Sequence, residues 1–86
     1  MFYVYVLQNI ADETDYYLGY SSDLVARLKS HNEGKNKSTK NKQWRVVYYE
    51  AYISEAIARQ REYKLKRNPR MKRFLMDRIK SQIQSG

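Results

Sequence analysis

Five residues of this chain carry side chains that can move protons, bind anions or hold a cation. Tyr5 and Tyr17 each lie in a short tyrosine-rich segment, Arg27 and His31 follow close behind, and Glu62 stands much later in the chain. Phenol, imidazole, guanidinium and carboxylate groups are the ingredients of acid–base and anion-binding chemistry. Each residue also has an ordinary structural explanation. The decisive point is whether the elements that carry them bring the five together.

Glu62 stands where a leucine is expected on the buried side of a helix. The spacing of Ala58, Glu62 and Leu65 places all three on the face that points toward the sheet. A carboxylate on the inner face of a strongly basic helix is costly unless it has a cation. That cation is either Arg27 or Arg61 in a structural ion pair, or a divalent metal. The residues alone leave both open.

Arg27 and His31 border the apolar stripe of a first helix. Leu24, Leu28 and His31 are spaced i, i+4 and i+7, and Gly34 is a natural stop. Arg27 lies four residues before His31, so the two flank the buried stripe. For an isolated pair of this kind, a snorkelling arginine and a hydrogen-bonded, half-buried histidine are the favoured interpretation.

Alternation indicates the strands that carry the tyrosines. Residues 2–8 alternate between two faces with β-branched and aromatic types, and residues 16–20 are typical of the return arm of a hairpin. Gly19 inside a strand marks a bulge or a close approach by another group. Residues 35–43 hold four lysines and no apolar residue and predict an exposed, mobile loop that contacts phosphate rather than bases. Alternation resumes at residues 44–51, which predict a third strand.

Capping residues predict where the three helices begin. Ser21 or Ser22 caps the first, with Asp23 favouring its first turn. Ser54 caps a second helix, and Asn68-Pro69 ends it and begins a third. The third helix carries an apolar stripe that indicates core packing, formed by Met71, Leu75, Ile79 and Ile83, with Phe74 beside it.

The net charge of +8 is distributed unevenly along the 86 residues. Residues 1–26 hold four acids and no Lys or Arg, whereas residues 27–86 hold all 17 Lys and Arg against five acids, a net charge of +12. Such a small domain has a basic face that suits a polyanion. Nucleic acid is favoured over a merely solvated lysine-rich surface, and both over an anionic membrane.

Composition bounds the class of protein. A chain of 86 residues with 42% hydrophobic content predicts one domain, residues 1–86, with a small core, as a monomer or a weak dimer. The lack of cysteine excludes a disulfide scaffold and a thiolate zinc site. No apolar run approaches the roughly 20 residues of a membrane span, and no signal peptide precedes the first strand. We therefore expect a soluble, cytoplasmic protein.

The order of these features resembles the GIY-YIG endonuclease superfamily, in particular its small stand-alone members. Tyr3-Val4-Tyr5 stands for the first family triplet and Tyr17-Leu18-Gly19 for the second, whose glycine is structural at the site. Arg27 and His31 match the Arg-x-x-x-His pattern of the first helix, and Glu62 matches the metal-binding glutamate. The resemblance implies a small α/β (α+β) domain, with a three-stranded antiparallel sheet flanked by about three helices.

The resemblance also implies a role for each of the five residues. Glu62 holds a single Mg²⁺ or Mn²⁺, a hard cation that keeps most of its waters. Tyr5 is the general base toward an attacking water, with Tyr17 orienting it, and nearby cations must stabilise the phenolate. Arg27 binds the non-bridging phosphate oxygens, and His31 relays a proton or holds a phenol.

The expected function is therefore metal-dependent hydrolysis of phosphodiester bonds in DNA, as a repair or structure-specific endonuclease. The expected contacts to nucleic acid are Lys35, Lys37, Lys40, Lys42, Arg61 and Lys64. Two positions depart from the family pattern. Tyr20 stands where several members carry a lysine, and Phe74 lies near an asparagine that many members carry. The alternatives are a non-catalytic basic nucleic-acid-binding module and a protein-interaction domain with an eroded site.

Overall fold

A computed structural model describes the backbone of residues 1–85 and the side chains of residues 1–84. Its elements are β1 (Phe2–Asn9), β2 (Tyr16–Ser21), α1 (Leu24–Asn32), a 3-10 turn (Lys37–Thr39), β3 (Trp44–Tyr52), α2 (Glu55–Arg67) and α3 (Pro69–Ser85). The strands form one antiparallel sheet in the order β2-β1-β3. This confirms the α+β fold with a three-stranded sheet and three helices. In residues 1–85 no helix is both long and apolar enough to cross a membrane.

β1 is the central strand, and its alternation sorts the side chains to two faces. In the β1–β2 hairpin Tyr5 lies opposite Gly19 and Leu7 lies opposite Tyr17. On the other side of β1, Tyr5 lies opposite Tyr49. Because directly opposed residues point to the same face of a sheet, both candidate tyrosines lie on one face. The predicted hairpin is confirmed.

Each face of the sheet covers its own core. On one face α2 and α3 bury an aliphatic cluster of Val4, Val6, Leu18, Ala58, Leu65, Leu75 and Ile79. On the other face α1 covers a smaller, aromatic cluster whose buried members are Tyr5, Leu7 and Trp44. Leu75 and Ile79 of the expected α3 stripe are buried, whereas Phe74 beside the stripe is 66% exposed. The candidate tyrosines therefore belong to the α1 face.

Three local expectations have clear outcomes. The N-cap of α1 is Asp23, whose carboxylate accepts a hydrogen bond from the Ala26 amide, so the serine caps that the sequence predicted are wrong. Asn68 caps α3 as predicted, because its side-chain oxygen accepts from two amides of the first turn. The loop of residues 35–43 is not wholly exposed, because Thr39 within it is completely buried.

Candidate active site

The phenol of Tyr5 lies across the neighbouring strand, in a space that only glycine leaves open. Tyr5 is 1% exposed, and a Cβ atom added to Gly19 would lie 2.5 Å from Tyr5 Cζ and 3.0 Å from Tyr17 Cε1. Real Cβ atoms do not approach other atoms so closely, so a side chain at this position would displace one of the rings. The close approach that Gly19 predicted is thus present, and the approaching group is the candidate catalytic phenol.

His31 meets the Tyr5 hydroxyl from the last turn of α1. Its Nε2 lies 2.9 Å from Tyr5 Oη, and its Nδ1 lies 2.7 Å from Thr39 Oγ1. The imidazole is fully buried rather than half-buried. The Asn32 side chain holds the end of α1 in place, accepting from the Trp44 amide and donating to the Trp44 carbonyl oxygen.

We infer the tautomer of His31 from the second partner of Thr39. The Thr39 hydroxyl lies 3.4 Å from the Asn36 carbonyl oxygen, and when it donates there its oxygen accepts from Nδ1–H of His31. In this arrangement His31 Nε2 accepts the hydrogen bond of the Tyr5 hydroxyl. The hydrogen bonds then run in one direction, from the phenol to the imidazole to the threonine and on to a backbone carbonyl.

Sequence analysis missed Thr39 because it looked like one polar residue in a lysine-rich loop. Asn36 caps the 3-10 turn by accepting from the Ser38 amide, and Trp44 Nε1 donates to the Thr39 carbonyl oxygen at 3.1 Å. Asparagine two residues before a serine is a turn signal that the sequence offered. The tryptophan contact, which joins the turn to β3, left no mark in the local pattern.

Tyr17 completes an aromatic group around the imidazole. Its ring centroid lies 4.7 Å from that of His31 and 6.4 Å from that of Tyr5. Asn36 Nδ2 donates to the Tyr17 hydroxyl at 3.4 Å. The three rings therefore pack together, with the two phenol oxygens held by polar partners from α1 and the 3-10 turn.

Burial keeps both proton-transfer groups neutral in the free protein. The pKa of Tyr5 is raised far above its usual range, by burial first and by Tyr17 second, while Arg27 opposes the shift and Glu62 adds to it. The pKa of His31 is lowered, by burial first and by the nearby Arg27 charge second. Although Arg27 is exposed on α1, its charge reaches both groups. The phenol and the imidazole therefore face each other uncharged at neutral pH.

Glu62 reaches this cluster from α2, at the β2 edge of the sheet. Its charge acts on the Tyr5 phenol, and its side chain is 23% exposed. Lys66 Nζ lies 3.5 Å from Glu62 Oε2 and 5.9 Å from the Tyr17 ring centroid. The observed partner of Glu62 is thus a lysine one turn later in the same helix, and not Arg27 or Arg61. Arg61 instead binds both carboxylate oxygens of Glu50, at 2.9 and 3.0 Å.

Comparison with known proteins identifies the family of this chain. The family model described as the GIY-YIG catalytic domain matches residues 1–74. The chain belongs to the GIY-YIG family. Its resemblance to this nuclease family is therefore confirmed.

Two relatives and one solved structure give the extent of the similarity. The UPF0213 protein of Oceanobacillus iheyensis is 32% identical over 82 residues, which cover 93% of each chain. The UPF0213 protein of Staphylococcus haemolyticus is 36% identical over 76 residues, covering 86% of this chain and 90% of that one. The solution NMR structure of a UPF0213 protein from Bacillus halodurans has a TM-score of 0.54 at 33% identity, covering 90% of this chain and 84% of that chain.

The candidate active site fits a divalent cation through one carboxylate. Glu62 offers hard oxygen donors, and its ion pair with Lys66 is a partly exposed contact between residues four apart on one helix, a weak kind of pair that a metal ion can replace. In residues 1–85 no group of three or more His, Cys, Asp or Glu side chains lies together. A hard cation that keeps most of its waters is compatible with a single protein carboxylate.

Four of the six residues expected to contact nucleic acid lie in the loop of residues 35–43, and the other two lie on α2. Lys35 pairs with Glu33, and Lys42 pairs with Asp15 at 2.8 Å and lies over the Trp44 ring. Three more of them are exposed, namely Lys37, Lys40 and Lys64. Arg61 is occupied by Glu50, on the β3 side of α2 and away from Glu62.

Tyr20 follows the second triplet, where several members of the family carry a lysine. Its ring carries the Arg59 guanidinium, whose Cζ lies 4.8 Å from the ring centroid. A cation from α2 therefore stands beside this β2 position, although the residue of β2 itself is neutral.

Proposed function

We propose that this protein is a metal-dependent endonuclease that hydrolyses phosphodiester bonds in DNA. The observation that supports it most is the directed hydrogen-bond chain from Tyr5 through His31 to Thr39, which gives a buried phenol a built-in proton acceptor. Glu62 and Arg27 bring one negative and one positive charge close enough to act on that phenol. A core tyrosine needs none of these features to be stable.

The proton path follows from the hydrogen bonds. The Tyr5 oxygen accepts a proton from the attacking water while the Tyr5 hydroxyl proton passes to His31 Nε2, so the phenol relays a proton without becoming a free phenolate. Thr39 stabilises the resulting imidazolium by accepting from Nδ1–H. The water oxygen bonds to phosphorus as the bond from phosphorus to the leaving oxygen breaks, and the leaving oxygen takes a proton from solvent.

Two residues act on the phosphate itself. Arg27, exposed on α1 beside the phenol, binds the non-bridging oxygens, where the planar guanidinium fits two oxygens at once. Glu62 holds Mg²⁺ or Mn²⁺, which when bound supplies Lewis-acid stabilisation of the charge that develops on oxygen. Tyr17 orients the attacking water beside Tyr5. We also propose that the substrate is DNA, that the protein acts in repair or on branched structures, and that it is cytoplasmic.

The test is nicking of supercoiled and branched DNA in the presence of Mg²⁺ or Mn²⁺. Glu62→Gln and Tyr5→Phe keep the shape of their side chains and should each lower the cleavage rate about 100-fold or more, the first because the metal loses its carboxylate and the second because a positioned acid–base group is lost. Glu55→Gln, an exposed acid of the same helix, is the matched control and should cleave normally. The proposal is overturned if wild-type protein cleaves nothing, or if both site variants cleave as wild type does.

The same experiment separates the competing function. A non-catalytic basic module would bind DNA or RNA with a steep loss of affinity as salt is raised, because its contacts would be Lys and Arg on phosphates. That binding would be unaffected by divalent metal and by Glu62→Gln, and no cleavage would accompany it.

A further inference from the structure

Two cations of α2 stand on either side of Glu62 along the edge of the sheet. We propose that Arg59 and Lys66 bind the backbone phosphates that flank the cleaved one, so that the nucleic-acid strand runs along α2 at the β2 edge. This inference rests on the proposed function. It assigns the phosphate contacts to α2 and not to the lysine-rich loop of residues 35–43.

The spacing along the helix fits neighbouring phosphates. Arg59 lies three residues before Glu62 and Lys66 lies four residues after it, so the three side chains form one stripe of α2. At a rise of 1.5 Å per residue, the two cations stand about 4.5 and about 6 Å from Glu62 along the helix axis. Each strand of a duplex places one phosphate per roughly 3.4 Å of rise. Each cation therefore stands between one and two such steps from Glu62, on opposite sides of it, which is within reach of the phosphates that flank the one beside Glu62.

Both cations contact β2, Arg59 on the face that α2 covers and Lys66 on the face of the candidate active site, because Tyr20 lies opposite Val4 and Tyr17 lies opposite Leu7. The Arg59 guanidinium lies 4.8 Å from the Tyr20 ring centroid, and Lys66 Nζ lies 5.9 Å from the Tyr17 ring centroid. Both rings belong to the edge strand β2, and Tyr17 packs against His31. Contact with an aromatic face orients a cation without neutralising its charge, so both remain available to an anion.

The ion pairs of these two cations are the kind that a phosphate can replace. Arg59 contacts Glu55 at 3.6 Å and Lys66 contacts Glu62 at 3.5 Å, and each pair joins residues four apart in one helix. The first pair is exposed, and in the second Lys66 is exposed while Glu62 is partly buried. Such pairs contribute little stability and exchange readily. Arg61 differs, because Glu50 holds it through two shorter contacts in a partly buried position.

The charge of the stripe makes this contact depend on metal. Glu55, Arg59, Glu62 and Lys66 together carry no net charge, so in the absence of metal the stripe attracts a phosphate chain weakly. A divalent cation on Glu62 would raise the net charge of the stripe to +2 and release Lys66 from its carboxylate. Lys66 should then contribute to nucleic-acid affinity mainly with Mg²⁺ present, whereas Arg59 should contribute under both conditions.

The experiment measures binding rather than cleavage. The affinity for a fluorescently labelled DNA duplex is measured by anisotropy over a salt series, with Mg²⁺ and with EDTA, in the Tyr5→Phe background and with the duplex checked for cleavage. Arg59→Gln and Lys66→Gln should each reduce the slope of log affinity against log salt by about 0.9 in Mg²⁺, the loss expected for one phosphate contact. In EDTA the effect of Lys66→Gln should largely disappear.

A matched control comes from α3. Arg70 lies over Phe74, which lines a groove with Tyr48 and Glu50 of β3. Arg70→Gln should leave the slope unchanged. Thermal unfolding of each variant verifies that the fold is intact.

The outcomes distinguish this inference from the proposed function. Equal losses for the two α2 variants and for Arg70→Gln, or no loss for Arg59→Gln and Lys66→Gln, would falsify the assignment even if the protein cleaves DNA. If the slopes change as expected but the wild-type protein cleaves nothing, the binding surface stands and the nuclease proposal fails.

Discussion

The single histidine of this protein, His31, connects the Tyr5 phenol to the Thr39 hydroxyl. His31 is fully buried and uncharged, with a phenol on one ring nitrogen and a hydroxyl on the other. From the sequence we expected nearby cations to stabilise Tyr5 as a phenolate. Burial and Tyr17 instead raise the pKa of Tyr5. A relay, in which the phenol passes a proton on as it receives another, removes the need for a free phenolate.

We predict that Thr39 sets the tautomer of His31. Wild-type protein should carry its imidazole proton on Nδ1, and Thr39→Val, which removes the acceptor, should shift that proton to Nε2. Nitrogen-15 NMR of the imidazole reports this directly, and the chain has only one histidine to assign. Because Nε2–H cannot accept from Tyr5, cleavage should also fall about 100-fold.

Thr39→Ser is the matched control for that prediction. It keeps the hydroxyl, so it should keep both the Nδ1–H tautomer and the cleavage rate. An unchanged imidazole spectrum in Thr39→Val would show that the threonine does not select the tautomer.

Helix α2 contributes to both the fold and the candidate site, because its two sides contact different groups. Toward β3, Arg61 and the hydroxyls of Tyr48 and Tyr52 all donate to the carboxylate of Glu50. On its other side, Glu62 pairs with Lys66, which lies over the Tyr17 ring, and the Glu62 charge acts on the Tyr5 phenol. Neighbouring residues in a helix point about 100° apart, so consecutive positions can serve a structural pair and a functional group.

For α2 and its contacts, we predict that Glu50 stabilises the fold far more than Glu55 does. Glu50→Ala should lower the free energy of unfolding by about 2–3 kcal/mol, since it leaves a partly buried guanidinium and two phenols without their acceptor. Glu55→Ala removes an exposed pair with Arg59 and should cost about 0.5 kcal/mol or less. Urea denaturation of the two variants compares them, and similar losses would contradict this account of α2.

The molecule as a whole places its polar site inside one of its two cores. The α2 and α3 side of the sheet is aliphatic, whereas the α1 side contains the buried tyrosine and histidine together with Trp44. A small domain has little apolar surface to spare, so charging a group in that second core should affect the stability of the entire chain.

For the whole molecule, we predict that mild acid lowers the stability because His31 becomes protonated. Its pKa in the folded state is lowered below the ordinary value of about 6.5, so the unfolded chain binds more protons in this range. The contribution of His31 is therefore fully present above about pH 6.5 and is lost as the pH falls through the folded pKa. Urea denaturation over a pH series measures the change, and His31→Gln should remove it from this window.

Carboxylates give the internal reference for that series. Burial alone would raise the pKa of Glu50, but the hydrogen bonds from Arg61 and the two tyrosines hold it below its usual range. The stability that Glu50 supplies is thus lost only in stronger acid, below about pH 4.3. A wild-type stability that stayed flat from pH 7 to pH 5 would contradict the assigned state of His31.

Local sequence patterns were enough to predict the secondary-structure elements and much of the candidate site. Alternation and capping residues predicted the strands, α2 and α3, and Gly19 indicated a close contact without identifying its partner. These features are local, since they depend on residues within a few positions of one another along the chain. The five candidate residues also came from spacing and family resemblance, and the fold brings Tyr5, Tyr17, His31 and the charges of Arg27 and Glu62 to one place.

Only the tertiary structure decided which groups touch. Thr39 looked like part of a solvated loop until the turn packed onto His31 and Trp44. The partner of Glu62 is Lys66, and Arg61 belongs to Glu50 on the opposite side of α2. Each of these facts depends on how a helix or turn is rotated and seated against the sheet. That rotation is set by packing across the core, which no pattern of neighbouring residues records.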